Sequence, residues 1–178
     1  ELCFEDPKGK LNLTEFTQPS ILTISVGILR VLQKQAETKV NFVAGHSLGE
    51  YSALVALGAL NFKDALKAVH ARGQAMQKAV PVGTGSMAAY LGQNTSELEQ
   101  LCEQVSNHKE KVEIANYNCP GQIVLSGHKI AVEKICQMIA EKKLGRAKTL
   151  PVSAPFHSSL MKPAAQDMTL FFKNISLN

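Results

Sequence analysis

Several features typical of nucleic-acid, metal or membrane proteins are missing from this sequence. It has no tryptophan and only 6% aromatic residues, and no block of lysine and arginine is interleaved with aromatic residues. No apolar run is long enough to cross a membrane. The net charge of +4 is mildly basic and spread along the chain, which would suit an acidic protein partner. We therefore expect neither nucleic acid nor a membrane among the partners.

The four cysteines also lack the spacing of a metal or redox motif. None forms a C-x-x-C pair, and none stands at metal-ligand spacing from a histidine. Cys102 and Cys136 fall on apolar stripes of predicted helices and are interpreted as small core residues. We expect no metal, no cofactor and, as the simplest setting, a reducing cytoplasm.

A G-x-S-x-G motif at residues 45–49 is the central feature that is present. An apolar run at 40–44 predicts a strand before it, and residues 50–57 predict a helix after it. Strand, sharp turn and helix together are typical of a nucleophile elbow, with Ser47 as the nucleophile. Both flanking glycines are expected to leave room for a tight turn, and backbone N–H groups at the helix start could hold an oxyanion. The alternative is a pair of loop glycines around a chance serine.

The chain before and after this motif predicts a larger α/β unit. Thr17 is a plausible helix N-cap with Pro19 in the first turn, after an irregular segment at 1–16. From residue 21 to 32 this helix is apolar on nearly every side, which predicts burial all round. Asn61 with Asp64 predicts the start of a later helix.

A second, smaller subdomain is predicted at 84–152. The order of its predicted elements is β-α-β-β-α-β, the ferredoxin-like arrangement, with Asn94 and Glu97 capping its first helix and a last strand at 146–152. The predicted organisation is thus a large subdomain of 1–83 and 153–178, with 84–152 inserted.

A serine nucleophile needs a base, and five histidines are available. His46 is interpreted as a structural contact, His70 as facing outward, and His108 and His128 as residues of polar turns. His157 stands in a Pro-bounded loop where the chain returns to the large subdomain, so it is the best candidate. A surface-loop histidine is the alternative. No acidic residue near His157 stands out as the third member of a catalytic triad. A Ser–His dyad is therefore as consistent with the sequence as a triad.

Arg72 falls on the apolar stripe of Ala65, Val69 and Met76 in a predicted helix. Its stem could be buried while its head reaches water, or its head could be held for an anion. If the guanidinium lies near the nucleophile, it would bind a carboxylate through two parallel hydrogen bonds. The second interpretation favours an acyl group that carries its own carboxylate.

Five motifs in order along nearly the whole chain resemble the malonyl-CoA:acyl carrier protein transacylases. That family includes the bacterial fatty-acid enzyme and the acyltransferase domains of polyketide and fatty-acid megasynthases. The motifs are GHSLGEYSAL at 45–54, ARG at 71–73, GTGSMAA at 83–89, NYNCPGQ at 116–122 and PFHSSLMKP at 155–163.

The resemblance implies an α/β-hydrolase-like large subdomain with a ferredoxin-like insert. It implies that Ser47 is the acylated nucleophile, His157 the base and Arg72 the residue that binds the malonyl carboxylate. It also implies that malonyl passes from coenzyme A through an acyl-serine to the phosphopantetheine thiol of acyl carrier protein. The resemblance also implies that the backbone N–H of Leu48 lies in the oxyanion hole and that Asn116 and Asn118 lie along the cleft. Phe156 stands beside the base, where its ring is expected to disfavour an α-branched acyl group; the alternative is that it only packs in the core.

Two departures from the family pattern are present. The Gly-Gln-Gly-x-Gln segment that completes the family's oxyanion hole is absent, and so is the later segment that pairs with the catalytic histidine. We therefore expect the chain to be the middle part of the enzyme. We also expect a monomer. A serine hydrolase or thioesterase, a polyketide acyltransferase, and a carrier-protein docking module or inactive fragment are the alternatives.

Overall fold

The structure, a computed structural model, describes residues 1–36, 40–152 and 154–178. It is an α/β fold that divides into a first unit, 1–75 with 165–178, and a second unit, 76–164. The predicted subdomain limits at 84 and 152 stay a prediction, and residue 153 lies outside the described residues. The helices are α1 (Thr14–Gln35), α2 (Gly49–Ala56), α3 (Phe62–Ala79), α4 (Thr95–Val105), α5 (Lys129–Glu141), a 3₁₀ turn (Ser159–Met161) and α6 (Lys162–Phe172), and the strands are β1 (Gly85–Leu91), β2 (Val112–Cys119), β3 (Gln122–His128) and β4 (Arg146–Thr149).

The core of the first unit is built from α1, α2, α3 and the segments that join them. Asn61 caps α3 as predicted, because its Oδ1 accepts the Asp64 N–H at 2.9 Å. Gly73 brings α3 against the start of α1, since a Cβ there would lie 2.5 Å from the Cα of Glu15. The buried apolar residues of this core are Leu22, Val26, Leu48, Leu60, Ala65 and Val69.

Helix α1 begins three residues before the predicted cap. Leu13 is its N-cap, Thr17 lies inside it, and Pro19 is an interior residue, so both predicted positions are wrong. Pro19 has no N–H to donate to the Glu15 carbonyl four residues earlier. His70 contacts this carbonyl instead, with Nδ1 at 3.0 Å from the oxygen, and so does not face outward as expected. The proline is therefore tolerated because a side chain from α3 satisfies the carbonyl.

Burial of α1 on all sides is also wrong. Leu22 and Val26 are buried, but one side of the helix is exposed. Helices α2 and α3 supply the apolar contacts of the core on the Leu22 side alone. A local apolar pattern predicts a helix, but burial depends on which other segments pack against it. The exposed apolar residues of α1 are Ile21, Ile24, Ile28, Val31 and Leu32.

The predicted strand at 40–44 is not formed. A strand needs a hydrogen-bonded neighbour, and all strands of the described residues lie in the second unit. Phe42 is 93% exposed in this segment, so it contributes nothing to the core.

The second unit is a four-stranded antiparallel sheet with α4 and α5. The strand order is β2-β3-β1-β4, and the elements follow each other as β-α-β-β-α-β. Asn94 caps α4 as predicted, accepting the Glu97 N–H. Strand β4 ends at Thr149 rather than at residue 152. The core between sheet and helices includes Tyr90, Leu98, Leu101, Val112, Leu125, Ile135 and Ile139.

Cys102 lies in this core, as its place on an apolar stripe predicts. Burial, together with the nearby Glu99, Glu113 and Glu103 carboxylates, raises the pKa of its thiol to about 12. The thiol is therefore protonated and unreactive at neutral pH.

No helix among the described residues is both long and apolar enough to cross a membrane.

Candidate active site

Ser47 sits at the sharp turn that leads into α2. Its φ of +53° lies in the left-handed region, which is uncommon for a residue other than glycine and costs about 1–3 kcal/mol. Turn hydrogen bonds fix the conformation, from the Gly49 N–H to the His46 carbonyl at 2.9 Å and from the Glu50 N–H to the Ser47 carbonyl at 3.2 Å. Strained backbone of this kind is what a nucleophile elbow requires, and the G-x-S-x-G spacing predicts it.

The two glycines of the motif are not equivalent. A Cβ on Gly45 would lie 1.9 Å from the carbonyl carbon of Gly49 and 2.1 Å from the Glu50 nitrogen. A Cβ on Gly49 would meet nothing within 4 Å. The expectation that both glycines are required by a tight turn therefore holds only for Gly45.

Gly45→Ala is expected to unfold or distort the elbow, at a cost of about 1–3 kcal/mol, because backbone atoms must shift to admit the new methyl. Gly49→Ala is the matched control and is expected to be neutral or slightly stabilising, since alanine is favoured over glycine in a helix. Urea unfolding of both variants measures the difference. Equal stabilities would contradict the close approach at Gly45.

Leu48 follows the serine and is the N-cap of α2, with its side chain buried. The backbone N–H groups of Gly49, Glu50 and Tyr51 each donate within this turn. The Leu48 N–H donates to no acceptor among residues 1–36, 40–152 and 154–178. It is therefore the backbone donor next to Ser47 that could hold a developing oxyanion.

Arg72 projects from α3 to the same place. Its Nη2 donates to Ser47 Oγ at 3.2 Å, and its Nη1 donates to Gln18 Oε1 at 2.6 Å. The guanidinium carbon also lies 5.8 Å from the centroid of the Tyr51 ring. The guanidinium is thus held beside the Ser47 hydroxyl rather than directed to water.

Gln18 completes this arrangement and was not among the residues predicted from the sequence. It is 6% exposed on α1, and its Nε2 donates to Thr14 Oγ1 at 2.9 Å. The oxygen and the nitrogen of its side-chain amide therefore connect Arg72 to the start of α1. No signal in the sequence identifies Gln18, because it belongs to no motif and its burial is visible only in the structure.

The electrostatics favour an anion at Arg72. Burial lowers the pKa of its guanidinium, while its attraction to Tyr51 raises it. Burial raises the pKa of the Tyr51 hydroxyl, and the Arg72 charge lowers it. No carboxylate within the described part of the chain forms an ion pair with Arg72. A partly buried cation without a counter-ion is costly, and a bound carboxylate would compensate for that cost.

His157 lies in the second unit, in the loop before the 3₁₀ turn. It is exposed, and its φ of +59° again falls in the left-handed region. The neighbouring Ser158 Oγ donates to the Pro155 carbonyl at 2.7 Å, and Pro155 is fully buried. The histidine is therefore presented at the surface of its unit by a loop with buried ends.

Strand β2 carries Asn116 at a point where its register shifts. Ile114 pairs with Leu125, and Asn116 pairs with Val124, so Ala115 is an extra, bulged residue. Cross-strand partners share a face of the sheet, so the bulge places Asn116 on the face of Val124 and not on the face of Leu125. Asn118 is exposed at a second irregularity near the β2–β3 turn, and Phe156 is half-buried beside His157.

The predicted site residues fall into two groups. The first unit brings together Ser47, Leu48 and Arg72. The second unit carries Asn116, Asn118, Phe156 and His157. Among the described residues, no group of three His, Cys, Asp or Glu side chains is placed to hold a metal ion.

Known proteins resemble this chain over most of its length. The acyl transferase domain family matches residues 1–178. The malonyl CoA-acyl carrier protein transacylase of Bacillus subtilis strain 168 is 48% identical over 167 residues, covering 94% of this chain and 52% of that protein. The enzyme of the same name from Staphylococcus aureus strain COL is 46% identical over 173 residues, covering 96% of this chain and 54% of that protein. The chain thus spans about half the length of the curated relatives it matches.

Solved structures of transacylases are also similar to this chain. The malonyl CoA-acyl carrier protein transacylase of Clostridium perfringens superposes with a TM-score of 0.94 at 49% identity, covering 100% of this chain and 55% of that one. A malonyl-transacylase solved in complex with a type II polyketide-synthase acyl-carrier protein superposes with a TM-score of 0.92 at 41% identity, covering 97% of this chain and 55% of that one. These matches, with the family model over residues 1–178, show that the chain belongs to the acyl transferase domain family.

Proposed function

We propose that this protein transfers a malonyl group from malonyl-CoA to the phosphopantetheine thiol of an acyl carrier protein, through an acyl-serine on Ser47, in fatty-acid synthesis. The observation that carries the proposal is the hydrogen bond of 3.2 Å from Arg72 Nη2 to Ser47 Oγ. A cation so close to the nucleophile rewards an acyl group that ends in a carboxylate.

The first half-reaction forms the acyl-enzyme. Ser47 Oγ attacks the thioester carbonyl of malonyl-CoA while His157 takes the serine proton, and the C–S bond then breaks. Coenzyme A leaves as the thiol after receiving that proton. The Leu48 N–H donates to the oxyanion of the tetrahedral intermediate.

The second half-reaction repeats these steps with a different nucleophile. The phosphopantetheine thiol of the carrier protein loses its proton to His157 and attacks the acyl-serine carbonyl. The C–O bond breaks, and the proton returns to Ser47 Oγ. The names of the B. subtilis and S. aureus relatives, and the carrier-protein complex of the polyketide transacylase, support this choice of acceptor.

The fold proposed for the full enzyme is an α/β-hydrolase-like large subdomain with a ferredoxin-like insert. The strand order β2-β3-β1-β4 and the element order of the second unit support the insert. Asn116 and Asn118 along a substrate cleft, and Phe156 against branched acyl groups, stay predictions. So do a monomeric state, a cytoplasmic location, and the absence of nucleic acid and membrane from the partners.

Arg72→Ala is expected to lower kcat/KM for malonyl-CoA by more than tenfold and to leave acetyl-CoA unchanged or better. Malonyl loses two charge-assisted hydrogen bonds, each worth about 1.5–3 kcal/mol, whereas acetyl has no carboxylate to lose. Arg72→Lys restores the charge without the paired donors, so its recovery should be partial. The measurement is the malonyl-to-acetyl ratio of kcat/KM. An unchanged ratio would place the carboxylate site elsewhere.

Intact-mass spectrometry after mixing with malonyl-CoA tests the proposed function. The longest natural polypeptide that contains this chain is the sample. A malonyl adduct that persists until a carrier protein is added indicates a transferase. Rapid loss of the adduct as free malonate would indicate a hydrolase, and no adduct at all would overturn both enzymatic interpretations.

A further inference from the structure

Glu113 lies on β2 in the second unit, at a position that the proposed reaction does not use. Its neighbours Val112 and Ile114 pack toward α4 and α5. Glu113 pairs with Ser126 of β3 and therefore projects from the opposite face of the sheet. Glu113 is half-buried on this face, and its carboxylate has a hydrogen-bond partner there.

The partner is the loop that carries His157. A Glu113 carboxylate oxygen accepts the backbone N–H of Ser159 at 2.5 Å. Ser159 is the first residue of the 3₁₀ turn that runs into α6, so its N–H has no acceptor within the helix. A carboxylate at a helix N-terminus accepts from such a donor and interacts favourably with the helix dipole.

The other end of the loop is fixed by packing. The ring of Pro155 lies against Gly85 of β1, where a Cβ would come within 2.3 Å of the proline Cδ. His157 lies between this contact and the Ser159 amide, with a φ of +59°. A residue other than glycine stays in this region where the structure around it determines its conformation. The Ser159 bond to Glu113 and the Pro155 contact with Gly85 supply two such constraints, one on each side of His157.

We propose that Glu113 is a positioning residue for His157. It acts through the Ser159 amide, two residues from the histidine, by holding the turn that directs the imidazole. Without this bond, the left-handed turn relaxes and the imidazole loses its productive direction. The inference rests on the proposed function of His157 as the base, and it adds a residue of the sheet to the catalytic arrangement.

The test compares Glu113→Gln, Glu113→Asp and Glu113→Ala, with Glu103→Ala as a control from an exposed position on α4. Glutamine keeps the length and an acceptor oxygen, whereas aspartate keeps the charge but is one methylene too short. The rate of Ser47 acylation by malonyl-CoA is measured in single turnovers, over a range of pH, in the longest natural polypeptide. Each rate is divided by the fraction of protein molecules in which Ser47 can be acylated.

We expect Glu113→Gln to stay within about threefold of wild type, and Glu113→Asp and Glu113→Ala to acylate about 10- to 100-fold more slowly. The KM for malonyl-CoA should stay within twofold, because substrate binding does not involve this loop bond. Glu103→Ala should match wild type. A purely structural role would lower the melting temperature without changing the normalised rate or its pH profile.

Two results would overturn the inference. Glu113→Ala could acylate at the wild-type rate, or aspartate could rescue better than glutamine, which would mean that charge rather than reach matters. If Glu113→Ala does not fold, the glutamine and aspartate variants still decide. A wild-type protein that is never acylated at Ser47 would instead reject the proposed function, so the two failures are distinguishable.

Discussion

Ser47→Ala is expected to abolish acyl transfer from malonyl-CoA. A ping-pong route has no substitute for its nucleophile, because the acyl group must be attached to the enzyme between the two half-reactions. Alanine also lacks the Oγ that accepts a hydrogen bond from Arg72 at 3.2 Å, so the variant removes the contact between Ser47 and Arg72 as well. Single-turnover acylation followed by mass spectrometry measures the loss.

Ser52→Ala is the matched control for this variant. Ser52 lies five residues later on α2, and its buried hydroxyl has no hydrogen-bond partner within the described residues. Removing that hydroxyl leaves no partner unsatisfied, so activity and stability should be kept. If Ser47→Ala is malonylated at the wild-type rate, another residue is the nucleophile.

His157→Ala is expected to slow acylation of Ser47 by about 10²–10⁴-fold, the usual range for the loss of a general base. Binding of malonyl-CoA should change little, since the imidazole acts on the serine proton rather than on the substrate carboxylate. The measurement is the single-turnover rate against malonyl-CoA concentration, which separates binding from chemistry.

The control for the base is His108→Ala, which removes an exposed imidazole from the same unit. It should leave the acylation rate unchanged. An unchanged rate in His157→Ala would contradict the assignment and direct attention to His46, which adjoins the nucleophile.

Local features of the fold could be predicted from the sequence because their causes are local. Asn61 and Asn94 cap their helices as expected, since each side chain accepts an N–H three residues later. The order of helices and strands in the second unit follows from apolar periods of 3.6 and 2 residues. The motif predicts a sharp turn at Ser47, and the structure gives this residue a left-handed φ.

Features that depend on distant partners could not be predicted. The apolar run of α1 indicates a helix correctly, but the run does not contain the information on what covers each side. Residues 40–44 have the composition of a strand and no strand to pair with among the described residues of the first unit. Propensity at these positions is overridden by tertiary context.

The supporting polar residues were missed for the same reason. Gln18 contacts Arg72 from 54 positions away, and Glu113 contacts Ser159 from 46 positions away. Neither residue belongs to a motif that implies a function by itself. Ser47 and Arg72 could be proposed as site residues from residue type and spacing, whereas Gln18 and Glu113 are visible only as contacts.

A charge-and-transfer experiment that locates the acyl group tests the central claim most directly. The protein is first mixed with malonyl-CoA, and half of the sample then receives an acyl carrier protein that bears its phosphopantetheine thiol. Both halves are digested, and the peptide containing Ser47 is examined by tandem mass spectrometry. The account predicts one malonyl group on Ser47 that then appears on the carrier protein. A malonyl group on any other residue, or one on Ser47 that never reaches the carrier protein, would contradict it.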